Sequence, residues 1–163
     1  GQQNTVWQLW TPNKALGLTG IRAAYAIAPL GAEAAIEKLN QLCPSWPIGA
    51  HGFAMLQAWV HPETQIWLAD SLKVLRGWKA RQVAAIESLG WVCLPSDANF
   101  FCVRPVLPPS RDLPTLLAVL RGQRIKLRDT ASFGLSGHVR VSVQAPEAQA
   151  VLFQALMAHS SKN

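Results

Sequence analysis

From Pro62 to Leu89 the chain runs without a second proline, and Ile66, Leu72, Leu75, Val83, Ile86 and Leu89 form an apolar stripe at helical spacing. Pro62 suits a first helical turn, where its missing N–H is not needed, and Gly90 is a suitable stop. A helix of this length reaches about 40 Å and is expected to bridge two lobes. The chain is therefore read in three parts: 1–60, the connecting helix 61–90, and 91–163.

In the first part, "VWQLW" (Val6 to Trp10) and "AAYAIA" (Ala23 to Ala28) are short apolar runs, the pattern of strands buried on both faces. Ala35, Ile36, Leu39 and Leu42 predict a helix over 33–42. The two prolines of "CPSWPIG" end it, and a second helix is expected over 49–60. Between the strands lies "TPNKALGLTGIR", apolar and glycine-punctuated apart from Lys14 and Arg22. Gly17 and Gly20 would each cost a helix about 1 kcal/mol against alanine, so a turn is expected there rather than a solvated helix face. It is a turn that calls for positive charge.

The last part changes character. "WVCLP" and "NFFCVRP" read as strands with Ser96 and Asp97 in the turn between them, Asp112 caps a short helix through Leu116, Leu117 and Leu120, and Pro146 opens a final helix. Two alternating strands lie between these helices. In "RIKLR", Ile125 and Leu127 face one side while Arg124, Lys126 and Arg128 face the other. In "HVRVSV", Val139, Val141 and Val143 face the core, and Arg140 looks away from it with His138 and Ser142. The β-β-α-β-β-α order predicts a small α/β lobe with a mainly antiparallel sheet. An arginine in mid-strand can be a solvated side chain; two on neighbouring strands can also make a bidentate site for a carboxylate or phosphate.

Half of the 163 residues are hydrophobic and only 15% are charged, against about 25% in an average domain. Some apolar surface is therefore expected to be covered by further sequence or by another subunit. No apolar run approaches the ~18 residues of a membrane span, and no charged-then-apolar leader opens the chain, so neither a membrane nor secretion is expected. Cys43, Cys93 and Cys102 show no CxxC pairing, and His51, His61, His138 and His159 show no metal-ligand spacing. Free thiols in a reducing cytoplasm are expected, and no metal. The net charge of +6 raises the question of nucleic acid. The densest basic set, Lys73, Arg76, Lys79 and Arg81, falls on the long helix in the pattern of a solvated face, and no aromatic-interleaved basic motif accompanies it. Nucleic acid is not an expected partner.

The segment "TPNKALGLTGIRAAY" resembles the lysine-bearing segment of the fold-type-I pyridoxal-phosphate enzymes: Ser or Thr, two residues, Lys, a glycine-bearing turn, then Arg eight residues beyond the lysine. "ANFFCVRP" and "KLRDTASFGLSGHVRVSV" are similar to small-domain segments of the histidinol-phosphate aminotransferase branch, which also contains threonine-phosphate decarboxylase. The segments keep the family's order and span nearly the whole chain. The resemblance implies the end of the cofactor-binding large domain followed by a small α/β domain. It makes Lys14 the catalytic residue that bonds pyridoxal 5'-phosphate, with Thr11 and Arg22 on the cofactor's phosphate. Arg140 would take the substrate carboxylate and Arg128 a second anionic group, in this branch usually a phosphate. Such a lysine reacts as the neutral amine, a form favoured by burial and by a neighbouring cation. Tyr25 and Asn99 also match family positions, as packing and backbone-bonding residues. Asn13 stands where the family commonly has a hydroxyl residue, and Ala24 where glycine is usual.

In this family the acid that pairs with the pyridine nitrogen, the aromatic residue on the ring and the phosphate-holding helix N-terminus lie well upstream of the lysine. Only thirteen residues precede Lys14, and Asp70, Asp97, Asp112 and Asp129 all follow it. The resemblance thus implies the C-terminal half of an aminotransferase for an amino acid with a second anionic group, cytoplasmic and homodimeric when full length. The isolated chain is expected to be inactive. The alternatives are a threonine-phosphate decarboxylase and a degenerate, non-catalytic domain.

Overall fold

The computed structural model describes residues 5–160. The chain divides into two compact units, the first up to Ser71 and the second from Leu72, with the division inside helix α3 (Pro62–Glu87).

In the first unit, β1 (Gln8–Trp10) and β2 (Tyr25–Ile27) form an antiparallel ribbon, followed by α1 (Glu33–Leu42) and α2 (Ala50–Trp59). The apolar runs predict strands buried on both faces; instead Leu9 is 82% exposed, and Trp10 and Ile27 are exposed with it. Two strands alone have no layer to bury their faces. Helix α1 has the predicted bounds, yet it buries no residue, and Ile36, Leu39 and Leu42 lie in solvent. Among the described residues of this unit only Pro12, Asn13, Gly52 and Met55 are buried.

The second unit holds the core. Its sheet has the order β3-β4-β6-β5, antiparallel throughout, from β3 (Val92–Cys93), β4 (Phe100–Arg104), β5 (Arg128–Asp129) and β6 (Val139–Ser142). Phe101 opposes Val141 and Val103 opposes Val139. These four are buried against Ile86 of α3, Leu116 and Leu120 of α4 (Leu113–Gly122), and Leu152 and Leu156 of α5 (Pro146–Ser160). Each such side chain contributes about 1.5–3 kcal/mol on burial. The alternation that buries Val139 and Val141 turns Arg140 to the other face.

Asp112 caps α4, its Oδ1 accepting the Thr115 N–H at 2.9 Å. The far end departs from expectation. Arg124 has φ +64°, its N–H donates to the Arg121 carbonyl at 3.0 Å, and the Ile125 N–H donates to the Leu120 carbonyl at 2.9 Å. This is a Schellman closure with arginine at the left-handed position usually given to glycine, a conformation that costs about 1–2 kcal/mol. The "RIKLR" strand is therefore corrected: of those residues only Arg128 is in a strand, and Arg124 belongs to the helix end.

Two polar residues of α3 tie it to the sheet. Gln82 is 2% exposed; its Nε2 donates to the Ser142 carbonyl at 3.1 Å and its Oε1 accepts the Gln144 N–H at 3.2 Å. The Val143 N–H donates to the Asn99 carbonyl, so Ser142 and Gln144 turn their backbone groups to the side of β6 away from β4. Lys79 corrects the solvated-face expectation: it is half-buried, and Nζ donates to the carbonyls of Ser96 and Ala98, closing the β3–β4 turn. Among the described residues no His/Cys/Asp/Glu group could hold a metal, and no helix is long and apolar enough to cross a membrane.

Candidate functional site

In the first unit Lys14 sits on one helical turn. The Leu16 N–H donates to the Pro12 carbonyl at 3.0 Å, and the turn closes with Gly17 N–H to Lys14 carbonyl at 3.2 Å and Leu18 N–H to Asn13 carbonyl at 2.7 Å. Gly17 takes φ +70°, the left-handed position. Gly20 does not, so only one of the two glycines is conformationally required.

Thr11 Oγ1 donates to the Ala23 carbonyl at 2.9 Å and lies 3.1 Å from Oδ1 of the buried Asn13. That bond brings the start of the turn beside its end. Thr11, Lys14 and Arg22 consequently line one concavity of about 470 Å³, with Asn13, Ala23 and Ala24. All three nominated side chains are exposed in this chain, so the burial expected to favour a neutral lysine is not provided by it.

Sequence reasoning missed what supports this wall. A Cβ on Gly52 of α2 would come within 2.9 Å of the Arg22 carbonyl oxygen and 3.0 Å of the Ala23 Cβ. Gly52 therefore lets α2 pack directly on the Arg22 backbone. Trp59 Nε1, from the same helix, donates to the Tyr25 hydroxyl at 3.1 Å.

In the second unit Arg128 and Arg140 are register partners across β5 and β6. Directly opposed residues present their side chains on the same face. Each guanidinium lies over a phenyl ring: Arg128 on Phe133 at 4.4 Å and Arg140 on Phe100 at 4.7 Å. The rings hold the flat faces and leave the donor-bearing edges available. Both arginines line a concavity of about 640 Å³ together with Arg124, Lys126, Ser142 and Gln144, and its described lining includes no Asp or Glu. The two rings could not have been assigned to their arginines from the sequence, because the pairing depends on register.

A further hollow of about 580 Å³ lies between α3 and the β3–β4 turn. Burial, and secondarily Glu87, push its Cys93 thiol up to about 11, which favours the protonated form at neutral pH.

A family model, "Aminotransferase class I and II", matches residues 9–156. The histidinol-phosphate aminotransferase of Jannaschia sp. (strain CCS1) is 30% identical over 84% of this chain and 36% of its own length. Histidinol-phosphate aminotransferase 2 of Burkholderia mallei is 29% identical over 82% of this chain and 36% of its own length. The chain thus spans about 36% of these relatives. Among solved structures, the histidinol-phosphate aminotransferase of Clostridium acetobutylicum matches 94% of this chain and 45% of its own, with TM-score 0.78 at 21% identity. The L-threonine-O-3-phosphate decarboxylase of Porphyromonas gingivalis matches 96% of this chain and 47% of its own, with TM-score 0.66 at 20% identity. These two likenesses are of fold, the fold-type-I architecture whose aminotransferases use pyridoxal phosphate. With a family model covering nearly all of it, the chain belongs to the class I and II aminotransferases.

Proposed function

We propose that the chain is the C-terminal part of a pyridoxal-phosphate-dependent aminotransferase acting on an amino acid with a second anionic group, a phosphate. In this reading residues 1–60 are the end of the large domain, 61–90 the connecting helix and 91–163 the small domain. The observation that carries the substrate class is the Arg128–Arg140 register pair, two guanidinium groups on one face, at a concavity whose described lining holds no Asp or Glu. One takes a carboxylate and the other the second anion. The donor set around Lys14 fits the cofactor: a guanidinium and a hydroxyl suit its phosphate, and a primary amine suits its carbonyl carbon. Bound, pyridoxal phosphate supplies the electron sink for chemistry at the amino-bearing carbon. Thr11 must then turn its hydroxyl proton from the Ala23 carbonyl to the phosphate, Arg22 neutralises that phosphate, and Lys14 Nζ is the nucleophile.

Relatives at 29–30% identity are histidinol-phosphate aminotransferases, whereas the likeness to the decarboxylase is one of fold; this favours transamination. The three free thiols suit a reducing cytoplasm, and the exposed apolar faces of the first unit suit a homodimer when full length.

The isolated chain is expected to bind pyridoxal phosphate weakly and to be inactive, its three nominated cofactor ligands being exposed. A titration followed by absorbance tests this: a tight, saturable band lost in Lys14→Ala would overturn the inactive-chain reading. In the full-length protein Lys14→Ala should abolish turnover with the fold intact. Arg22→Ala should weaken cofactor retention by about 2 kcal/mol, roughly thirtyfold. Unchanged retention would remove the phosphate assignment.

A further inference from the structure

Arg124 occupies a left-handed position that disfavours any side chain, and that side chain lines the concavity holding Arg128 and Arg140. An off-preference backbone at a candidate site is an observation that calls for a functional reason. Lys126 lines the same concavity, which makes four cations with no carboxylate among the described lining residues. Asp129, adjacent in sequence, opposes Val139 rather than Arg140, so its side chain leaves from the other face of the sheet, where its Oδ1 accepts the Ala131 N–H at 2.7 Å. Gln144 and Ser142, both at this concavity, are uncharged, and Gln144 Nε2 donates to Ser142 Oγ at 2.8 Å.

Two cations suffice for a dicarboxylate. A carboxylate together with a phosphate monoester carries about three negative charges above the phosphate's second pKa of about 6. We infer that Arg124 and Lys126 are specificity-determining residues that read the third charge, fitting the concavity to a small phosphorylated carboxylate over a dicarboxylate of similar length. The inference rests on the reading of Arg128 and Arg140 as the anion pair.

The test uses the 163-residue chain at pH 7.5, with phosphoglycolate and succinate as probes and calorimetry as the readout. The wild type should prefer phosphoglycolate. Arg124→Gly and Lys126→Gln should each reduce that preference about three- to fivefold, the scale of one exposed charge contact. Arg124→Gly should at the same time melt about 2–4 °C higher, since glycine relieves the left-handed position. Stability and selectivity moving in opposite directions is an outcome that a structural role for Arg124 does not produce. Preference unchanged in both variants overturns the inference while leaving the anion pair standing. Failure of the wild type to bind either probe, or binding that survives Arg128→Ala with Arg140→Ala, overturns the pair and the inference together.

Discussion

Two chain reversals in this molecule share one hydrogen-bond pattern and differ in the residue at its left-handed position: Gly17 after the lysine turn and Arg124 after α4. Gly17→Ala should destabilise the first unit by about 1–2 kcal/mol, read by urea denaturation, because alanine there meets the steric penalty that glycine avoids. Gly52 and Gly77 separate packing from propensity. Gly52→Ala drives a methyl into the Arg22 carbonyl and the Ile48 side chain, at a cost of about 1–3 kcal/mol. Gly77→Ala, with nothing near its added carbon, should stabilise α3 by up to about 1 kcal/mol. Lys14 and Arg22 were legible in the sequence because two charges in an apolar, glycine-broken segment are conspicuous. Gly52 was not, since its importance lies in its approach to Arg22 and Ala23, about thirty residues away along the chain, rather than in its neighbours in sequence. Asp112 gives a pH test. Hydrogen bonds from the Thr115 side chain, then its backbone N–H, hold the Asp112 carboxyl below the usual carboxylate range. The folded value is thus lower than the unfolded one, so the cap's stabilisation is complete above the ordinary carboxylate pKa of about 4 and is lost as pH falls through the folded value. Asp112→Asn should keep the cap and flatten the acid limb of melting temperature against pH.

Among the elements, helices were more legible than strands. The stripes of α1 and α3, the proline break before α2 and the opening prolines of α3 and α5 set bounds close to those observed, because helical periodicity and capping are local. The strands are shorter than their apolar runs, because pairing is set by a partner: "AAYAIA" contributes three residues to β2, and "RIKLR" contributes only Arg128 to β5. The Arg128–Arg140 pair lies between these cases. Alternation placed Arg128 and Arg140 away from their apolar neighbours, and only register could place them opposite one another. Gln82 was invisible to periodicity, being a polar residue buried for its hydrogen bonds. Gln82→Leu keeps the bulk and orphans the Ser142 carbonyl and the Gln144 N–H; urea denaturation should show a loss of about 2–4 kcal/mol for the two groups.

At the scale of the whole molecule, stability is uneven. The second unit has a contiguous apolar core, while α1 has no buried residue, and ten-residue helices are marginal in water on their own. Native-state hydrogen exchange should find the amides of Phe101, Val103 and Val141 the most protected and those of α1 exchanging far faster. Equal protection in the two would contradict the exposed stripe. The carboxamide of Gln82 also bears on assembly. Beyond the two residues of β5, the outer side of β6 would present a bare carbonyl and N–H two residues apart, the spacing onto which a foreign strand docks. A side chain from α3 fills both valences, so the sheet offers no template there for growth from molecule to molecule, and its removal converts a folding defect into a route to aggregation.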